Sequence, residues 1–295
     1  MPPRGIHSPI TTLTRTLNAQ SARPSTIEIP DLGSMRSGEG GLLGLHLSLT
    51  EDAAANDGVP VSGAKITDAI ELFEVKAASN DVILSLPGRE LEDLANVLSR
   101  RGKDIDAPSP GDGSLVRWDA FIPFSINRGD MVARLNLTWA PITKLYTAAK
   151  QPTGGTEIVL EIAGLYALDG EVYTVNIESI PLDLKAGVTP VAHLFSRGDF
   201  IEGLYLLPDE GGTNPLRDAR FDHLRVQQDN YVLMDNAAVD EVFKVDDILE
   251  RDSGHNDGHI IYRGPYFQVL DTTKVEVKLK SASNVHMVVV SRSAA

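Results

Sequence analysis

Residues 71–102 read ELFEVKAASNDVILSLPGRELEDLANVLSRRG. With a small gap they lie over residues 222–254, DHLRVQQDNYVLMDNAAVDEVFKVDDILERDSG. Each copy opens on an apolar-charged-Val-polar strand end, Phe73 to Lys76 in the first and Leu224 to Gln227 in the second. An Asn/Asp turn follows, Asn80-Asp81 and Asp229-Asn230, since these side chains bond their own backbone and tolerate left-handed conformations. A short apolar strand and a polar-faced helix come next. Each copy then passes through a Gly/Asp-rich loop to an aromatic strand, Phe121 to Phe124 or Tyr262 to Phe267, and on to a cleanly alternating strand. Two copies about 150 residues apart are spaced too widely for a solenoid and fit two fused domains of one kind.

Outward from the repeat, period-two alternation recurs. Leu43, Leu45, Leu47 and Leu49 interleave with Gly44, His46, Ser48 and Thr50, as a strand with one buried face requires. Ala133, Leu135, Leu137 and Trp139 do the same, as do Val275, Val277 and Leu279 among Lys274, Glu276, Lys278 and Lys280. Further strands are expected over 66–76, 81–86, 116–126, 157–168, 172–179, 191–207, 220–227, 231–234, 259–270 and 285–291, punctuated by turns such as Asp57-Gly58, Asp169-Gly170 and Gly211-Gly212. Short strands with turns at this spacing indicate a sandwich or barrel. Two stretches read as helix: 89–101, with Leu91, Leu94, Ala95 and Leu98 on one face, and 237–250, with Val239, Val242, Phe243 and Leu249. The expected fold is all-β, two tandem jelly-roll β-barrels, each with one short helix after a middle strand. The expected segments are an N-terminal arm over 1–25, a first jelly roll over 26–150 and a second over 151–295.

A length of 295 residues sits where one core gives way to two. The net charge of −14 argues against general nucleic-acid binding by the body, which needs clustered Lys and Arg. From Met1 to Ile27 there is no acidic residue, while Arg4, His7, Arg15 and Arg23 are spread among Pro, Ser and Thr. Such a composition predicts an extended arm that is mobile until a partner holds it. No cysteine is present, which excludes disulfide frameworks, thiolate metal sites and cysteine nucleophiles. Neither a signal peptide nor an apolar run long enough to span a bilayer can be read; the expected place of synthesis is a cytoplasm.

The densest group of possible ligands is DSGHNDGH, with Asp252, His255, Asp257 and His259. Four-residue His spacing serves zinc best on a helix, and the run lacks the ligand spacing of a calcium loop, so a solvated loop is the preferred reading. Gly38 to Gly44, GEGGLLG, precedes a strand, whereas a dinucleotide fingerprint follows a strand and opens a helix. No nucleophile elbow, zinc-protease pair or phosphate-loop lysine is found. Arg128-Gly129-Asp130 and Arg197-Gly198-Asp199 spell an adhesion tripeptide but read as turn chemistry. Asn136-Leu137-Thr138 is a formal glycosylation acceptor inside a strand. Trp118, Phe121, Phe124, Trp139, Tyr262, Tyr266 and Phe267 could stack sugars, yet their recurrence beside equivalent strands favours core filling. Glu90 with Asp93, and Asp246 with Asp247, are read as solvated helix faces. No catalytic, cofactor-binding or metal residue is assigned, and no cofactor is expected.

Two jelly rolls in one chain, each with a helix after its short middle strand, an N-terminal arm and strands such as DVILSLPGREL and NVHMVVVSRS resemble the double-jelly-roll major capsid proteins of tailless icosahedral, corticovirus-like, lipid-containing bacteriophages. The resemblance covers residues 26–293. It implies a non-enzymatic structural protein forming pseudo-hexameric homotrimers that tile a virion shell after synthesis in the host cytoplasm. It also implies contacts with neighbouring capsomers, with minor capsid or penton proteins, and through the arm with an internal membrane or the genome side. The rival readings are a double-jelly-roll glycan-acting enzyme and a carbohydrate- or receptor-binding module. Double-jelly-roll enzymes of the copper-monooxygenase type need a His-x-His pair and a Met ligand, and this sequence has no His-x-His.

Overall fold

A computed structural model of the chain describes residues 5–18, 25–29, 40–52, 57–77, 82–98, 115–127, 133–168, 172–192, 195–208, 221–237 and 260–292. Described residues up to Thr174 gather into one compact unit and those from Val175 into another.

The first unit contains β1 (Gly5–Leu17), β2 (Ser25–Glu28), β3 (Gly41–Asp52), β4 (Ile70–Lys76), β5 (Val82–Leu86), helix α1 (Gly88–Leu98), β6 (Leu115–Asn127), β7 (Arg134–Trp139) and β8 (Thr156–Ala167). One sheet runs β1-β8-β3-β6 and the other β2-β7-β4-β5, all antiparallel. That order, with the first strand beside the last, is a jelly roll of eight strands. The inner rows are those expected from the alternation. Leu45, Leu47 and Leu49 pair with Ile122, Ala120 and Trp118 on one side and with Gly164, Ile162 and Leu160 on the other. In the second sheet Phe73 and Val75 pair with Leu137 and Leu135. All the large side chains in these rows are buried, each a gain of about 1.5–3 kcal/mol over exposure.

The second unit repeats the plan with β9 (Val175–Leu184), β10 (Gly187–Pro190), β11 (Phe200–Pro208), β12 (Phe221–Gln228), β13 (Tyr231–Ala237), β14 (Ile260–Gln268), β15 (Lys274–Leu279) and β16 (Ser283–Arg292). Its sheets run β9-β16-β11-β14 and β10-β15-β12-β13, the same order as in the first unit, strand for strand. Its core includes Leu204, Leu206, Leu224, Val226, Val275, Val277, Met287 and Val289. The repeat read in the sequence therefore matches β4 with β12, β5 with β13, β6 with β14 and β7 with β15. The helix expected over 237–250 lies outside the described residues, except that Ala237 ends β13.

Two expectations are corrected. Residues 1–25 do not form a separate arm. Gly5–Leu17 is the first strand of the first jelly roll, in register with β8 from Gly5 opposite Ala167 to Leu17 opposite Thr156, and Ser25–Glu28 pairs with β7. An edge strand is held by backbone bonds on one side, so it needs few apolar side chains. The β-branched Thr11, Thr12, Thr14 and Thr16 suit a pleated surface although they read as loop-like. The boundary at 150/151 is likewise displaced, to between Thr174 and Val175. β8, expected in the second half, lies between β1 and β3. The Pro- and Gly-rich stretch before it folds back inside its own unit. There Val59 N donates to the Lys150 carbonyl (2.9 Å) and the Asp57 carboxylate accepts from Thr153 N (2.9 Å) and Oγ1 (3.0 Å).

Candidate functional site

Among the described residues no group of three or more His, Asp or Glu side chains converges. The Asp252 to His259 loop and Arg128-Gly129-Asp130 lie outside the described residues. Arg197-Gly198-Asp199 is a turn tied to the end of β14. Gly198, at φ +94°, donates its N–H to the Val269 carbonyl (2.8 Å), and Val269 N donates to the Asp199 carbonyl (2.8 Å). Arg197 pairs with Asp271 at 2.5 Å, and burial pushes the Asp199 carboxyl above its ordinary pKa. The tripeptide thus serves its own fold.

In GEGGLLG, Gly38 lies outside the described residues, and Gly40, Gly41 and Gly44 serve packing. Gly44 crosses β6 so closely that a Cβ there would stand 2.6 Å from the Phe121 ring. Asn136 is engaged between strands, accepting from Thr26 Oγ1 (3.0 Å) and donating to Glu74 Oε1 (2.9 Å). Burial pushes the Glu74 carboxyl up, but the bonds from Asn136 and Lys76 outweigh it and hold the pKa below the usual value. Trp118, Phe124, Trp139 and Phe267 are core residues.

The solvated face expected for Glu90 is corrected: Glu90 is 6% exposed, because the first turn of α1 packs on the 3₁₀ turn Ile66–Ala69. Glu92, which sequence reasoning passed over, has a fully buried side chain. It accepts from Lys65 Nζ (2.5 Å) and Thr67 Oγ1 (2.5 Å). Arg89 clamps Asp68 and donates to the Gly63 carbonyl (3.0 Å). A second buried carboxylate, Glu51, accepts from the Tyr146 hydroxyl (2.8 Å) and Thr156 Oγ1. The only sequence signal for either glutamate was its place beside an apolar face, Leu91 and Leu94 for one and the Leu43 to Leu49 strand for the other. These groups join segments within one jelly roll and act as fasteners.

What remains is surface. β13 borders its sheet with β12 as its one described partner. Along it Tyr231, Val232 and Leu233 are 75%, 47% and 48% exposed. Natural edge strands are normally blunted by charge, proline or a cover, whereas this one presents three successive exposed apolar residues. The neighbouring strands on the outer face carry His223, Arg225, Lys274, Glu276 and Lys278, with Lys278 2.6 Å from Asp222.

Two eight-stranded jelly rolls of identical strand order in one chain constitute the double-jelly-roll fold of viral major capsid proteins. Solved major capsid proteins are among the structures this chain matches. The major capsid protein of Sulfolobus turreted icosahedral virus aligns with a TM-score of 0.63 at 13% identity, over 98% of this chain and 97% of that one. The major capsid protein P2 of bacteriophage PM2 aligns with a TM-score of 0.53 at 11% identity, over 98% and 97%. A chain from the atomic structure of the Sulfolobus virus itself aligns at 0.60 and 13% identity, over 98% and 90%. At such identities the likeness is one of fold. No family model matches the chain, and no curated protein matches it by sequence.

Proposed function

We propose that the chain is the major capsid protein of a tailless icosahedral virus, a non-enzymatic subunit whose work is self-association into a virion shell. The observation that carries this reading is the twofold jelly roll itself, aligned end to end with capsid subunits. Two similar lobes per chain let three copies around one axis present six, so the unit in solution is a homotrimer that approximates a hexagon. Its contacts are heterologous, the first jelly roll of one copy meeting the second jelly roll of the next. The exposed Tyr231 to Leu233 edge supports this, since a neighbouring copy would cover it. Neighbouring capsomers and minor capsid or penton proteins are the further partners. The uninterrupted lack of acidic residues from Met1 to Ile27 supports a contact with membrane-side or genome-side anions. Light scattering and electron microscopy of the purified chain test the proposal: trimers, and shells or hexagonal sheets, are expected. A stable monomer at micromolar concentration that assembles in no salt condition would overturn it.

A further inference from the structure

On the outer face of the sheet β1-β8-β3-β6, two imidazoles meet from strands that are not neighbours. His7 stands opposite Leu165 on one side of β8, and His46 stands opposite Ala163 on the other. Strand spacing places β1 and β3 about 10 Å apart, so the rings touch only because both lean over β8. Their centroids are 5.8 Å apart and their planes cross at 67°. The residue of β8 opposite His46 is Ala163, whose side chain is a single methyl.

We propose that His7 and His46 form a two-imidazole site for a divalent transition cation of the zinc or copper class, which clasps the N-terminal strand to β3. Imidazole nitrogens hold such ions at about 2.0–2.1 Å. With each ring centre roughly 1.1 Å behind its nitrogen, an ion shared by two rings sets the centres roughly 4.5–6.4 Å apart as the nitrogen–metal–nitrogen angle opens from about 90° to about 180°. The observed 5.8 Å falls within that span. On the His46 side, Asp119 of β6 acts electrostatically on His46, Arg117 of β6 pairs with Asp119, and Glu161 of β8 acts on Arg117. Two carboxylates against one guanidinium favour a cation here. Two protein donors leave the remaining coordination positions to water, as in an open site.

The test is calorimetric titration of the metal-free full chain with zinc chloride and with copper(II) chloride. One ion per chain is expected, with His7→Ala and His46→Gln each weakening binding at least tenfold and the double variant no further. A His255→Ala/His259→Ala variant should bind as the parent does, which separates this site from the DSGHNDGH loop. Circular dichroism establishes that each variant is folded. The clasp itself predicts that zinc slows tryptic cleavage at Arg15 in the parent but not in the His7 variant. Binding unchanged by loss of either His7 or His46, binding lost only in the His255/His259 variant, no binding at all, or binding without protection at Arg15 would each overturn the proposal, leaving an aromatic contact only.

Discussion

Gly88 shows how a single residue positions an element. A side chain there would collide with the Thr67 carbonyl and reach 2.9 Å from the Ile70 Cβ, so α1 can start against the 3₁₀ turn only without one. Gly88→Ala should cost about 1–3 kcal/mol, as overpacking usually does, read as a lower urea midpoint with an unchanged slope. Glu92 fastens the same junction from the other side. Glu92→Ala strips the acceptor from the buried Thr67 hydroxyl and the counter-charge from Lys65; a loss of about 1–3 kcal/mol is expected. Glu92→Gln keeps the Thr67 bond and should lose less; equal losses for the two variants in chemical denaturation would refute the role given to that hydroxyl.

Among the elements, the edge strands depart most from what the sequence suggests. Deleting residues 1–18 would remove a mobile arm harmlessly, had there been one. Because β1 pairs along all of β8 and buries Leu17, the deletion should instead abolish cooperative unfolding of the first jelly roll and expose an edge that aggregates. Calorimetry of the truncated chain distinguishes the two. For β13, Tyr231→Ser with Leu233→Ser should leave the melting temperature nearly unchanged, since surface substitutions usually stay within about 0.5 kcal/mol, while preventing trimers in light scattering. The inner strands were legible because Phe73 and Val75, Leu135 and Leu137, or Val275 and Val277 alternate at the period of a half-buried sheet. β1 was not, since an edge strand rich in threonine carries no such period. The position of β8 was not either, because which strand closes a barrel depends on pairing between residues far apart in sequence. Nor could the exposure of Tyr231 to Leu233 be read, as an apolar strand has the same letters whether covered or bare. Glu51 and Glu92 stayed hidden for the complementary reason: their partners come from other segments.

Across the whole molecule the ionic balance sets a pH dependence. Hydrogen bonds from Thr153 hold Asp57 below the usual carboxylate pKa. Against the upward push of burial, Arg117 and Ser48 do so for Asp119, and Asn136 and Lys76 for Glu74. The hydrogen bond from the Lys278 ammonium lowers Asp222 in the same way. A carboxyl depressed in the folded state contributes stability that is present above its unfolded pKa and lost as pH falls through the folded value. Asp199, raised by burial, acts in the opposite sense: its contribution is present below its unfolded value and lost as pH rises through the folded one. With four depressed groups against one raised, the melting temperature should fall between about pH 5 and about pH 3. A rise over that interval in scanning fluorimetry would contradict the assignment.

The pairing of β1 with β8 also has a consequence in time. Gly5 leaves the ribosome 162 residues ahead of its partner Ala167. At about 5–20 residues per second the first strand waits on the order of 10–30 s for the strand that captures it. The second jelly roll meets the same delay, because Val175 pairs with Arg292, 117 residues later. Neither barrel can close around a local nucleus, so its folding is slow and dominated by distant contacts. Until synthesis has passed Ala167, β1 and β3 have nothing to lie between them, and the nascent first barrel is a sheet missing its middle.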